Sequence, residues 1–326
     1  MPSKINAPDF NLAATLECGQ AFRWQRQPDG WFTGIVGKQV WRLRQRDDTV
    51  EWETTTPHPN PLPACGERER IRIPSPVLCT GEGQSEGNVC RYLALDRSLP
   101  DIVATFPDDA PLREAVRRHW GLRVLRQEPW ETLASFIASS TKQIVQIRQI
   151  VAALARKFGR DNAFPTPDVV AGATLGQLRA CKLGFRAEYL LAAARAVDSG
   201  KLDLAELPRM ELGRAQEELM KLPGVGEKIS NCVLLFSCGH DAAFPVDVWM
   251  RRSLQRLYGR KVLPEHFGPY AGWAQQYLFF DERSRPRPIT PEKSVTKRRK
   301  SHGSFGATAV ARSKAPVFPG VQTSFS

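Results

Sequence analysis

Lys228 and Asp247 are the residues of this chain best placed to do chemistry, because of what surrounds them. The segment from Leu222 to Cys232 reads Leu-Pro-Gly-Val-Gly-Glu-Lys-Ile-Ser-Asn-Cys, and Asp247 follows Lys228 by nineteen positions within Phe-Pro-Val-Asp-Val. Pro223, Gly224 and Gly226 turn a tight hairpin easily, and Lys228 then opens a helix whose first N–H groups lack internal partners. Such a helix end grips a phosphate through its backbone. An amine beside that grip serves either charge pairing or covalent attack. A neutral, desolvated amine attacks a sugar carbon, and a fixed carboxylate steadies the cationic sugar that develops. Lys228 and Asp247 can supply those two halves. Each also has a plainer reading: a solvated lysine at a helix start, and an aspartate N-cap for the helix expected from Val248 to Tyr258.

The elements that must hold these residues follow from periodicity. Residues 31 to 53 alternate apolar and polar positions, broken by Gly34, Gly37 and Asp47-Asp48, which predicts short antiparallel strands. From Pro111 onward the spacing becomes helical, with expected helices over 111–121, 130–158, 167–181, 186–199, 211–221, 227–239, 247–258 and 266–280. A sheet-rich start followed by a helical body is an α+β architecture. Thr54 to Val89, with six prolines and no sustained apolar period, is expected to be a disordered insertion in a surface loop.

Composition adds bounds. The 326 residues are 42% hydrophobic, ordinary for a globular protein, and no apolar run approaches the roughly 18 residues of a membrane span. A soluble, intracellular protein of the cytoplasm, nucleoid or nucleus is expected, without a membrane partner. Seven cysteines, at 18, 65, 79, 90, 181, 232 and 238, lack framework spacing and are expected to be thiols. The net charge of +12 lies mostly in the tail, where residues 283–326 carry ten Lys/Arg and one acidic residue. The remainder has 36 basic and 33 acidic residues, so basicity alone does not mark the folded part as a nucleic-acid binder. The tail is expected to be disordered and carries no assigned site.

The hairpin, Lys228 and Pro245-Val246-Asp247 together resemble the helix-hairpin-helix, Gly/Pro…Asp (HhH-GPD) superfamily of DNA glycosylases. Four further segments resemble its 8-oxoguanine DNA glycosylase branch: Cys18-Gly-Gln-Ala-Phe-Arg-Trp24, the run from Trp130 to Ser140, Leu183-Gly-Phe-Arg-Ala187, and Ala271-Gly-Trp-Ala-Gln275. The resemblance runs from about Phe10 to Phe280. It implies an N-terminal antiparallel sheet domain (1–107), then a two-domain helical body (108–282) bearing the helix-hairpin-helix at 222–228, with the basic tail (283–326) outside it.

What the resemblance implies for activity is excision of 8-oxoguanine from duplex DNA by a bifunctional glycosylase/lyase acting as a monomer. A base in a duplex must be flipped out before its glycosidic bond can be reached. Lys228 would attack C1′ and form a Schiff base, and Asp247 would face the sugar. Gly224, Val225 and Gly226 would bind phosphate. Gly19 would offer a main-chain carbonyl to the N7 hydrogen of the lesion, Cys232 and Phe279 would sandwich the base, and Gln275 would read its Watson–Crick edge. Phe185 stands in place of a tyrosine wedge, and Arg186 would donate to the orphaned base opposite. No cofactor is implied beyond a structural monovalent cation on hairpin carbonyls, and no side-chain metal cluster. Singly, Gly19 reads as a turn, Cys232 and Phe279 as core, and Gln275 as a surface amide.

The chain also departs from the family pattern. Thr141-Lys142-Gln143 replaces an Asn-Asn-Asn run, Gln146 replaces an arginine that grips cytosine, and Trp249 replaces a histidine that makes a phosphate or pocket contact. Among other readings, an iron–sulfur glycosylase needs four cysteines after the hairpin, and only Cys232 and Cys238 lie near it. A monofunctional alkylated-base glycosylase lacks the lysine. A non-catalytic or inactive helix-hairpin-helix DNA-binding protein is the alternative from another class.

Overall fold

A computed structural model describes residues 2–55, 82–259 and 262–285. The tail expected to be disordered lies outside these residues from 286 onward, and so does most of the insertion, 56–81. The chain opens with β1 (Ser3–Asn6), α1 (Leu12–Glu17), β2 (Gln25–Arg26), β3 (Phe32–Val36), β4 (Gln39–Arg46) and β5 (Thr49–Thr55). These strands form one antiparallel sheet in the order β1-β5-β4-β3-β2. Alternation sets its faces. Trp41 and Leu43 of β4 are buried, while the guanidinium groups of Arg42 and Arg44 point the other way and lie 4.6 and 4.5 Å from the Trp31 ring.

Both ends of the range expected as an insertion, 54–89, belong to regular elements. Thr54 and Thr55 are paired in β5, opposite Trp41 and Val40, and the chain re-enters as α2 (Glu82–Tyr92). Val89, Tyr92 and Leu93 close the sheet's core, and the Tyr92 hydroxyl accepts a hydrogen bond from Trp24 Nε1 at 2.8 Å. Burial of these three residues gives the helix a partner that its glycine-rich, weakly periodic sequence does not advertise.

The helical body continues through α3 (Leu99–Ala104), α4 (Ala110–Arg118), α5 (Pro129–Ser139), α6 (Ile144–Phe158), α7 (Pro167–Ala171), α8 (Leu175–Arg179), α9 (Arg186–Asp198), α10 (Leu212–Met220), α11 (Glu227–Ser237), α12 (Val248–Tyr258) and α13 (Ala271–Ser284). Two long periodic runs are each broken in two. The run 130–158 stops at Ser140, turns through Thr141 at φ +56°, and restarts at Ile144, where Gln146 Oε1 accepts from the Gln143 N–H at 3.1 Å. The run 167–181 breaks at Gly172. One core joins α5, α6, α9 and α11, and a second joins α4, α12 and α13 with Ala14 and Cys18 from the N-terminal segment. The candidate site lies where helix ends from both cores converge.

Candidate active site

The hairpin between α10 and α11 is fixed by its apolar residues and leaves its turn residues outside. Leu222 and Val225 are buried, the Val225 N–H donates to the Leu222 carbonyl at 3.1 Å, and Pro223, Gly224 and Gly226 are exposed. Gly224 is required by the fold: it lies at φ +76°, and a Cβ there would sit 2.3 Å from the Tyr189 ring. Gly226 is different, and corrects the expectation that the turn needs it. Its backbone is extended at φ −109°, open to any residue, and nothing lies within 4 Å of a Cβ there. As N-cap of α11 it has no side chain to bond the first N–H groups, so the positive end of that helix faces outward through open space.

Lys228, in the first turn of α11, is half-buried rather than solvated. Its Nζ donates to Ser139 Oγ at 3.2 Å and sits 4.8 Å from the centre of the Phe136 ring. One turn further along α11, Cys232 is buried between two charges. Burial pushes its thiol up to about 11, Lys228 pulls it down, and Asp247 pushes it up, so it stays a neutral thiol at pH 7. Asp247 caps α12, its Oδ1 accepting from the Met250 N–H at 2.6 Å. The capping role is therefore real. Among the described residues no ion pair joins Asp247 to Lys228.

The residues expected to read a base gather on the other side. Gly19 lies at φ +91°, and a Cβ there would meet Ile144 at 2.9 Å and Phe279 at 3.7 Å, so its backbone presses against the starts and faces of neighbouring helices as only glycine can. Phe279 packs edge-to-face with Trp249 at 5.6 Å, and the Arg283 guanidinium is 5.5 Å from its ring. Gln275, one turn before Phe279 on α13, is not a surface amide. It is 3% exposed, and its Oε1 is buried with no hydrogen-bond partner among the described residues. An unmatched buried carbonyl is costly, which marks it as waiting for a donor.

Sequence reasoning missed the residues that hold the Gly19 loop. Gln20 is fully buried: its Nε2 donates to Thr15 O and Arg123 O at 2.9 and 2.8 Å, and its Oε1 accepts from the Leu125 N–H at 2.9 Å. Gln276 Nε2 donates to the Cys18 carbonyl at 3.2 Å. The doublet Gln275-Gln276 in an apolar helix was the available signal, since buried amides are rare without partners. Ser139 was likewise legible only as part of a helix.

Phe185 is 56% exposed, and its ring packs edge-to-face with Tyr189 at 6.0 Å. Arg186 departs from its expected role. It is 3% exposed, and its guanidinium donates to Ser140 O, to Thr141 Oγ1 at 2.5 Å and to Leu183 O at 3.2 Å. Its donors clamp the turn after α5 and are not presented to an orphaned base. Gln146 is exposed but engaged in the cap of α6.

A mostly helical body carrying a helix-hairpin-helix, a lysine and a capping aspartate, with an antiparallel sheet before it, defines the class of HhH-GPD glycosylases. The model for the 8-oxoguanine DNA glycosylase N-terminal domain matches residues 3–133, and that for HhH-GPD superfamily base excision DNA repair proteins matches 134–266. The N-glycosylase/DNA lyase OGG1 of Arabidopsis thaliana is 30% identical over 313 residues, covering 86% of this chain and 80% of that protein. The N-glycosylase/DNA lyase of Saccharomyces cerevisiae is 27% identical, covering 90% and 89%. The Clostridium acetobutylicum 8-oxoguanine glycosylase/lyase, solved with double-stranded DNA containing cytosine opposite 8-oxoG, superimposes with a TM-score of 0.74 at 28% identity, covering 87% of this chain and 97% of that one. The chain belongs to the 8-oxoguanine DNA glycosylase family of the HhH-GPD superfamily.

Proposed function

We propose that the chain is an N-glycosylase/DNA lyase that flips 8-oxoguanine out of duplex DNA and removes it. The observation that carries this reading is the half-buried Lys228 amine, held on Ser139 Oγ at 3.2 Å in the first turn of α11, a helix whose N-terminus Gly226 leaves open. A non-catalytic binding module, or a monofunctional glycosylase, leaves a lysine partly removed from water with no purpose.

The flipped nucleotide enters between Phe279 and Cys232, where the unmatched Oε1 of Gln275 accepts from the base edge and the Gly19 carbonyl accepts from N7–H. Lys228, after giving its ammonium proton to water, donates its lone pair to C1′ as the C1′–N9 bond breaks; the base leaves with the bonding electrons and takes the proton shed by the new cationic C1′–Nζ amine. Asp247 opposes the positive charge that builds on the sugar. The amine adduct opens the sugar ring to an imine, and loss of a C2′ proton expels the 3′ phosphate. The hairpin at Gly224–Gly226 and the N–H groups of α11 hold a neighbouring phosphate. No cofactor enters these steps. A monovalent cation on the exposed hairpin carbonyls belongs to the same proposal, as does action by a monomer inside the cell; among the described residues no helix is long and apolar enough to cross a membrane.

Borohydride reduction of an imine fixes protein to DNA and tests the mechanism directly. Wild-type protein is expected to become covalently trapped on duplex containing 8-oxoguanine opposite cytosine. Lys228→Gln is expected to bind that duplex within a few-fold of wild type while excision and trapping vanish, separating binding from catalysis. Normal excision by Lys228→Gln would leave Asp247 and an activated water as the chemistry, and the lyase assignment would fall.

A further inference from the structure

Ser139 is in contact with the amine of Lys228, yet the family resemblance gives it no chemical role. It is the last residue of α5 and nearly buried. Its Oγ–H donates to the Phe136 carbonyl at 2.6 Å. A hydroxyl has one hydrogen, so with that hydrogen spent, Ser139 can only accept from Lys228. The carbonyl that takes its hydrogen bond cannot take its proton, so Ser139 is no base. What it offers is a fixed lone pair at 3.2 Å from Nζ.

Two other features converge on that point. The Phe136 ring, one turn earlier on α5, faces Nζ at 4.8 Å, and the carbonyl end of α5 favours a cation. The point itself is held rigidly. Arg186 Nε donates to the Ser140 carbonyl at 2.8 Å and its Nη2 to Thr141 Oγ1 at 2.5 Å. Thr141 lies at φ +56°, a conformation that costs a β-branched residue energy and persists only where its surroundings over-determine it.

The geometry points to Ser139 as a positioning residue for the reaction: its hydroxyl aims the Lys228 amine before the substrate arrives, an assignment that rests on Lys228 being the nucleophile proposed above. A lysine ends a flexible four-carbon stem, and a nucleophile that must find its direction after the nucleotide has flipped is slower than one already directed. Three elements serve this aim. The α11 backbone supplies the lysine, the end of α5 supplies the seat, and the Arg186 clamp keeps that end from fraying.

The test compares wild type, Ser139→Ala, Ser139→Thr and Lys228→Gln in single-turnover excision on duplex with 8-oxoguanine opposite cytosine, with affinity for the same duplex measured separately. Ser139→Ala is expected to excise about tenfold more slowly, the upper end of the scale of one neutral hydrogen bond, at an affinity within about twofold of wild type. Ser139→Thr keeps the hydroxyl and is expected to recover most of the rate. A Ser139→Ala protein that melts earlier but excises at the wild-type rate, at a temperature where it is folded, would overturn the assignment. Equal slowing in folded alanine and threonine variants would overturn it too, and the alanine comparison decides alone if the threonine variant does not fold. Lys228→Gln keeps the two claims apart. If it is inactive while Ser139→Ala is as fast as wild type, only the Ser139 assignment fails; if it is active, the nucleophile assignment fails.

Discussion

At the residue scale, Asp247 shows how a structural and a chemical role can share one side chain. Its Oδ1 caps α12 through the Met250 N–H, and asparagine caps a helix about as well as aspartate. Asp247→Asn is therefore expected to melt within about 1 kcal/mol of wild type while excision slows by about 10² or more, the scale of removing one electrostatic stabiliser. Melting curves and excision rates measured on the same preparations check this, and a loss of rate no larger than the loss of stability would reduce Asp247 to a cap. Lys228 and Asp247 were legible in sequence because the hairpin and the Pro-Val-Asp segment surround them with residues of specific conformational use. The burial of Gln275 had only its place beside Gln276 in an apolar helix to announce it, since an amide near a helix end otherwise reads as surface until the second core closes over it. Arg186 was misread for a similar reason. Its partners Ser140 and Thr141 are 46 and 45 positions away and are main-chain or hydroxyl oxygens, which no motif announces. Arg186→Ala is expected to destabilise the protein by about 1–2 kcal/mol through the half-buried Ser140 carbonyl that loses its donor and a released Thr141. The loss of excision should then be similar whichever base is opposite; a loss confined to cytosine would restore the base-reading role.

At the element scale, the hairpin separates two glycines that sequence alone treats alike. Gly224 combines φ +76° with a Cβ path blocked by the Tyr189 ring, so Gly224→Ala should displace the turn and cost stability, about 2 kcal/mol or more. Gly226 has extended backbone and open space, so Gly226→Ala should melt like wild type. The methyl would instead stand where a DNA phosphate approaches the α11 N–H groups, and duplex affinity should fall. Melting and binding measured for both variants check the contrast, and a Gly226→Ala protein that binds normally would show that the hairpin does not approach phosphate so closely. Periodicity found most of the helices but joined α5 to α6, because Ile137 and Ile144 keep a two-turn, seven-residue spacing across the polar residues 140–143. The break is set by a left-handed Thr141 and its Arg186 clamp, a tertiary cause invisible to a local window. Strands β3 to β5 were expected from alternation, whereas β1, β2 and α2 are too short or too polar to declare themselves without the sheet's core.

At the scale of the whole molecule, the segment that carries Gly19 is tied to the helix that carries Ser139 by Arg23 and Glu131, 3.7 Å apart and both largely buried. Burial pushes the Glu131 carboxyl up to about 7, against the pull of Arg23 and with Glu128 adding to the rise. Burial also lowers Arg23, whose Nη1 has no hydrogen-bond partner among the described residues. The sign of the pH effect follows. The folded carboxyl, near 7, binds its proton more tightly than the unfolded one, near 4.5. The stability this contributes is complete below the unfolded value and is lost as pH rises through the folded value. The loss between pH 4.5 and 7.5 has an upper scale of about 3 kcal/mol, from about 1.4 kcal/mol for each pH unit of separation. Glu131→Gln keeps an oxygen for Arg23 but cannot ionise. Subtracting its unfolding free energy from that of wild type at each pH cancels the other titrating groups, and the difference is expected to turn against wild type as pH rises from 5 to 8. Parallel curves would mean that Glu131 titrates alike in folded and unfolded chains.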